Sequence, residues 1–427
     1  MRRTTGAGID TPGFIDRHQG SFAQCGGSCE DCDTTFETTM SATASASLTR
    51  PARPPLHPFR PLFFCAALAA SLGMLAWGVF LHFGWLPSAA LLPIPWHAHM
   101  MLYGFAGALV GGFLLTASAN WTGIATTSRP GLGLLAATWV IARLLLLSPL
   151  PFWVGALFDV GYLFGLVFLV GRVLWLSRNK RNAFLILILL FYAGLDITFY
   201  VGALQVNMPL MSRALIGTVD LLLVLMLAIG GRVIPFFTGR KLAGHTMWVN
   251  KYLIFAVNGG GALVLICGLC GAPSLPRGVL MLVVAVLALV RLGGWRGWRA
   301  WREPMLWVLH LGYLWLAIGL IVRGLALVGA YSMPELDTLH GITVGALGTL
   351  SLGMMTRVAQ GHSGVPIKAN AALTGMFVLP SIAAILRLGF NQPTGWVWAA
   401  AAWFLAYLVF LIVIGPLLVR GRVTAGA

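Results

Sequence analysis

From residue 59 onward the chain alternates apolar runs with short polar breaks. The runs are about 17–25 residues long, the length a helix needs to cross the hydrocarbon core of a bilayer. The pattern predicts twelve membrane-spanning helices, at 61–83, 97–118, 131–148, 152–176, 183–203, 213–234, 252–271, 276–293, 305–327, 338–358, 371–390 and 396–419. Only "SPLPF" separates the third from the fourth, and its prolines and serine suit a tight turn. "NGGGA" (258–262) predicts a break or kink in the seventh helix. Residues 1–57 are polar, rich in Thr, Ser and Gly, and read as a disordered cytoplasmic tail without a signal peptide. Met40 opens an ordinary-looking start, so 1–39 reads as an extension or a misplaced start. The expected fold is all-α and polytopic, with one transmembrane domain over 58–422.

Composition agrees with the pattern. The chain is 58% hydrophobic and only 9% charged, against about 25% charged in a soluble domain. Of twelve acidic residues, six fall in the first 37 positions. The net charge of +16 fits an anionic membrane face, with lipid as the partner, better than nucleic acid. Its distribution also tests the helix count. One set of alternate loops holds Arg50, Arg53 and Arg60, Arg129, the 172–181 group, Arg232 to Lys251, the 296–302 group, Lys368, Arg420 and Arg422. The other set holds little beyond Arg213 and Arg277. The basic loops face the cytoplasm, so both termini are expected there. The six cysteines form no disulfide framework: Cys65, Cys267 and Cys270 lie in apolar runs, and Cys25, Cys29 and Cys32 in the tail.

This topology gives every polar residue a depth. His82 ends the first helix outside, His97 and His99 begin the second, and His340 begins the tenth. His310 lies toward the cytoplasmic end of the ninth helix, and His362 and His245 lie in cytoplasmic loops. Asp159, Asp196, Asp220, Arg143, Arg323 and Arg387 crowd the outer half. Ionisable groups at such depth need partners or water. They read as structural pairs such as Arg143 with Asp159, as the lining of a polar cavity, or as partners of haem propionates. Positions i and i+2 of a helix differ by about 200°, so helical His97 and His99 would point apart and could serve two centres. If Pro95 delays the helix, the extended chain puts them on one face, where both could chelate one ion. The bland alternative is a pair of interfacial imidazoles beside Trp96. Gly104, Gly107, Gly111 and Gly112, with Gly341, Gly345 and Gly348, predict close approach by other helices.

Several stretches together resemble the NnrS family of membrane proteins: "WHAHMMLYGFAGALVGGFLLTASANWTG" (96–123), "GGRVIPFFT" (230–238), "WRGWRAWREPMLWVLHLGYLWLAIGL" (295–320) and "HGITVGALGTLSLGMMTRVAQGHSG" (340–364). The resemblance implies a bacterial inner-membrane protein with haem and copper, associated with denitrification and defence against nitric oxide. It carries the family's histidines onto His97, His99, His310, His340 and His362 without dividing them between iron and copper. Tyr200 stands where the family pattern has His, and Met100 where it has Glu. On this resemblance His97 or His99 is expected as an axial haem ligand, with His340 as partner or copper ligand. His82 joins them as a further metal candidate, and Arg143, Arg323 and Arg387 are candidates for propionates or ion pairs. The resemblance implies nitric oxide or another small molecule as the ligand, with the electron donor unknown. Three alternatives stand beside this reading: a nitric oxide reductase or oxidase-like enzyme, an ion-coupled transporter relaying through Asp159, Asp196 and Asp220, and a metal-delivery or signalling protein. The first is disfavoured because the sixth and seventh helices contain no histidine.

Overall fold

The computed structural model describes residues 57–86, 91–242, 244, 247–390 and 392–420. Residues 1–56 of the expected tail, with Met40 and three cysteines, and also His245 and Arg422, lie outside the described residues. Among these residues every regular element is helical, and twelve helices are long and apolar enough to cross a membrane. They are α1 (Phe59–Phe83), α2 (Pro93–Thr122), α3 (Arg129–Leu146), α4 (Phe152–Leu176), α5 (Lys180–Leu204), α6 (Met208–Lys241), α7 (Lys251–Leu269), α8 (Ser274–Gly294), α9 (Pro304–Leu327), α10 (Glu335–Ser363), α11 (Ala371–Gly389) and α12 (Pro393–Val413). A short helix, α13 (Gly415–Arg420), follows.

Local chemistry sets the ends. Pro93, Pro209, Pro304 and Pro393 stand in the first turns of their helices, where a missing N–H costs nothing. Ser128, Asn207, Asn250 and Asn370 cap others by accepting from backbone N–H groups. Gly123 closes α2 and Gly364 closes α10 in the left-handed region that glycine enters without strain.

Two expectations change. Asn258–Ala262 does not break α7, which runs unbroken; the Asn258 carboxamide instead accepts from Arg291 of α8 at 3.3 Å. The second helix begins at Pro93, not at 97. The chain is therefore already helical through both histidines, and the extended arrangement that would let them chelate together is absent.

Four helices form the centre. In α2, α6, α9 and α10 the apolar window is 67–78% buried, against 22–44% in the other eight. Close backbone contact joins α9 and α10, where a Cβ on Gly341 would lie 2.7 Å from the Gly319 Cα, and α1 packs as closely on α2, where one on Gly112 would lie 2.8 Å from the Phe63 ring. Small residues at such crossings allow dispersion contact where lipid supplies no hydrophobic drive.

Two of the central helices contain wider, π-helical turns. One covers Met100–Phe105, immediately after His99. The other covers Gly341–Gly348, immediately after His340. Side-chain donors from neighbouring helices reach carbonyls of the first: Tyr192 bonds Leu102, and the Trp139 indole bonds Gly104 at 3.1 Å. Such turns concentrate at functional sites.

Candidate metal and cofactor centres

His97 and His99 project from opposite sides of α2 into two separate polar clusters. Both lie at the end of the bundle that carries the α1–α2 turn, which the loop charges predict to be outside.

The His97 ring stacks on Trp77 of α1, with centroids 4.4 Å apart. Its Nδ1 is buried with no hydrogen-bond partner. His340 of α10 and Arg387 of α11 come within electrostatic range of it. His340 Nδ1 lies 2.9 Å from the Asp337 carbonyl oxygen. A carbonyl only accepts, so Nδ1 carries the proton and Nε2 keeps its lone pair. A backbone bond of this kind fixes the tautomer of a metal-ligating imidazole. Arg387 pairs with the Asp337 carboxylate and lies over Trp396 at 4.9 Å. Arg387 Nη1 and Trp396 Nε1 are also buried and unpartnered. Two donors and one imidazole nitrogen thus stand without partners in one neighbourhood linked through Arg387, which fits a group carrying both a metal and carboxylates. Haem is such a group.

His99 is 1% exposed. Its ring lies between Tyr103 and Phe199, at 4.8 and 4.7 Å. Nε2 is 2.9 Å from Asp196 Oδ1 and 3.5 Å from Asp159 Oδ2. Arg143 pairs with Asp159, and the Tyr200 hydroxyl donates to the same carboxylate at 3.0 Å. Tyr103 completes the cluster by sharing a 2.6 Å hydrogen bond with Thr218 of α6. Two carboxylates and one guanidinium leave one negative charge over when the imidazole is neutral. In a site this deep, a proton or a metal cation must balance it. One ligand atom from each of His99, Asp159 and Asp196 falls within 4.8 Å of the others, a spacing that could hold a metal ion. Asp159 Oδ1 and Asp196 Oδ2 have no hydrogen-bond partner. Imidazole with carboxylates suits copper(II), iron or zinc.

The remaining candidates fall elsewhere. His82 is exposed, edge-on to Phe83. His310 is buried toward the other, basic end of the bundle, its Nε2 3.0 Å from Thr238 Oγ1. His362 is at the basic end too, its ring centroid 5.1 Å from that of His57. Arg323 is an ion-pair residue, binding Asp220 and Glu335 together. Sequence reasoning noted Asp159, Asp196 and Tyr200 but did not join them to His99. Their signal was visible: Asp196 and Tyr200 are one turn apart on α5, isolated in an apolar run. Trp396 and Asp337 gave no comparable signal.

The NnrS protein family matches the chain over residues 56–422. No curated protein matches it.

Proposed function

We propose, from the NnrS family to which this chain belongs, that it is a bacterial inner-membrane protein holding haem and copper and acting in the nitrosative-stress response associated with denitrification. Membership supports a membrane protein related to the nitric-oxide response; the finer reading rests on the two clusters. His97 and His340 would hold the haem iron, with Arg387 and Trp396 on its propionates. His99, Asp159 and Asp196 would hold the copper, with Arg143 and Tyr200 orienting Asp159. Haem iron, when bound, supplies an open position for nitric oxide if one imidazole stays away. The observation that carries this reading is the unpartnered His97 Nδ1 beside the tautomer-fixed His340.

The protein purified in detergent is expected to show a Soret band that shifts on reduction, and copper by metal analysis. Absence of both would sink the proposal. Consumption of nitric oxide by the purified protein with an electron donor would turn the reading toward a reductase. Ion-coupled transport through Asp159, Asp196 and Asp220 has less support, because Asp220 is paired with Arg323 and stands apart from the other two.

A further inference from the structure

A cavity of about 100 Å³ lies among the central helices. Its wall comes from α1, α2, α6, α9 and α10, and includes Phe63, Val110, Leu222, Leu309 and Leu350. Phe63 and Leu309 are each 1% exposed and Leu222 3%, so the inner wall is buried, while half-buried Phe113, Val233 and Met354 leave the space partly open on its other side. One hydroxyl residue lines it, Ser351. That hydroxyl is engaged away from the space: it lies 2.8 Å from the Gly348 carbonyl oxygen and 2.7 Å from the Tyr407 hydroxyl.

This chemistry selects the occupant. A buried water needs two to four polar partners, and the wall offers none free. An anion would find no donor, and a cation would meet no charged or oxygen ligand, the Met226 and Met354 thioethers carrying no charge to balance it. A dry apolar space of roughly 150 Å³ takes up xenon or benzene, and a smaller one suits a smaller neutral molecule. The position is equally selective. Leu347 of the wall follows His340 by seven residues on α10, and Leu109 follows His99 by ten on α2, so both centres lie within about three turns of the wall. The wide turn at Gly341–Gly348 spans the interval between His340 and the wall.

We infer that this cavity is a holding site for a small, neutral, apolar gas molecule on its way to or from the metal centres. The identity of that gas as nitric oxide rests on the function proposed above; the cavity's chemistry does not.

Crystals of the full-length protein pressurised with xenon are expected to show xenon in this cavity. Leu222→Ala should raise its occupancy, and Leu350→Trp should abolish it. Nitric oxide photolysed from the reduced haem should rebind partly in a slow intramolecular phase. Xenon in the wild type and Leu350→Trp should both remove that phase, with haem content unchanged. Wild-type crystals without xenon, or with water or an acyl chain in the cavity, would overturn the inference. Xenon bound with the slow phase intact would overturn the role toward nitric oxide. A protein without haem would overturn the proposed function instead, and the xenon result would still decide the cavity.

Discussion

His97 and His99 are separated by one residue yet occupy unlike environments. The His97 neighbourhood is assembled from five helices, α1, α2, α10, α11 and α12, and its acidic member Asp337 is part-exposed. It has more donors than acceptors. The His99 neighbourhood uses α2, α3, α4 and α5, and its charged groups are sealed from solvent. It has more acceptors than donors. An excess of donors suits an anionic, carboxylate-bearing group; an excess of carboxylate oxygens suits a cation. Helical geometry separates two chemistries that the sequence places side by side.

The sharpest test of this contrast exchanges the two histidines' losses. His97→Ala should lose most of the haem and keep the metal at the other centre. His99→Ala should do the reverse. Absorption spectra and metal analysis of both variants check it, and equal loss of both groups from either variant would collapse the two centres into one.

The next effect is on stability. Arg143→Leu removes the guanidinium paired with buried Asp159, and removing one partner of a buried pair costs roughly 3–5 kcal/mol. Arg387→Leu leaves only the part-exposed Asp337, at a cost of about 1 kcal/mol. Thermal unfolding in detergent should therefore drop far more for the first than for the second. Equal drops would mean that the two clusters are equally dry.

Tyr103→Phe probes the His99 side more finely. Thr218 keeps its bond to the Ala214 carbonyl, so the loss should be about 1 kcal/mol, that of one hydrogen bond. Metal content should not change.

The smallest effect lies at the basic end, where His57 faces His362 and Arg60. Burial, then the charges of His362 and Arg60, push the His57 imidazole down to about 4. A base with a lowered folded value favours folding while it stays neutral. Its contribution is thus full above about 6.5 and fades as the pH falls toward 4. Arg60→Gln should raise the His57 titration midpoint, read by NMR of labelled histidine.

Much of the fold was legible because hydrophobic length is a one-dimensional signal. All twelve spans could be counted, including the α3–α4 pair divided by "SPLPF". The four family stretches fall on α2, α6, α9 and α10, the most buried helices. The site was legible only in part. His99 meets Asp196 across 97 positions, and no local periodicity reports such a meeting. The helix start at Pro93 decided whether the histidines share a face, and proline in a first turn reads equally well as a delay. The break expected at "NGGGA" failed because glycines in a packed transmembrane helix keep their backbone bonds when no water competes for them.

The wide turns after His99 and His340 have a consequence for how this chain can change over time. A π turn is an α-helix with one residue inserted. Deleting one residue from 100–105 would return that stretch to regular α-helix. The wide turn already absorbs its extra residue within one turn, so the helix on either side would keep its phase, and the change would fall on the Leu102 and Gly104 carbonyls that now bond Tyr192 and Trp139. Both imidazoles would keep their directions, while the Tyr192 and Trp139 donors would lose their carbonyl partners to the helix's own ladder. A one-residue change of length at this turn is therefore a route by which descent can remodel the wall between the two clusters without moving the histidines.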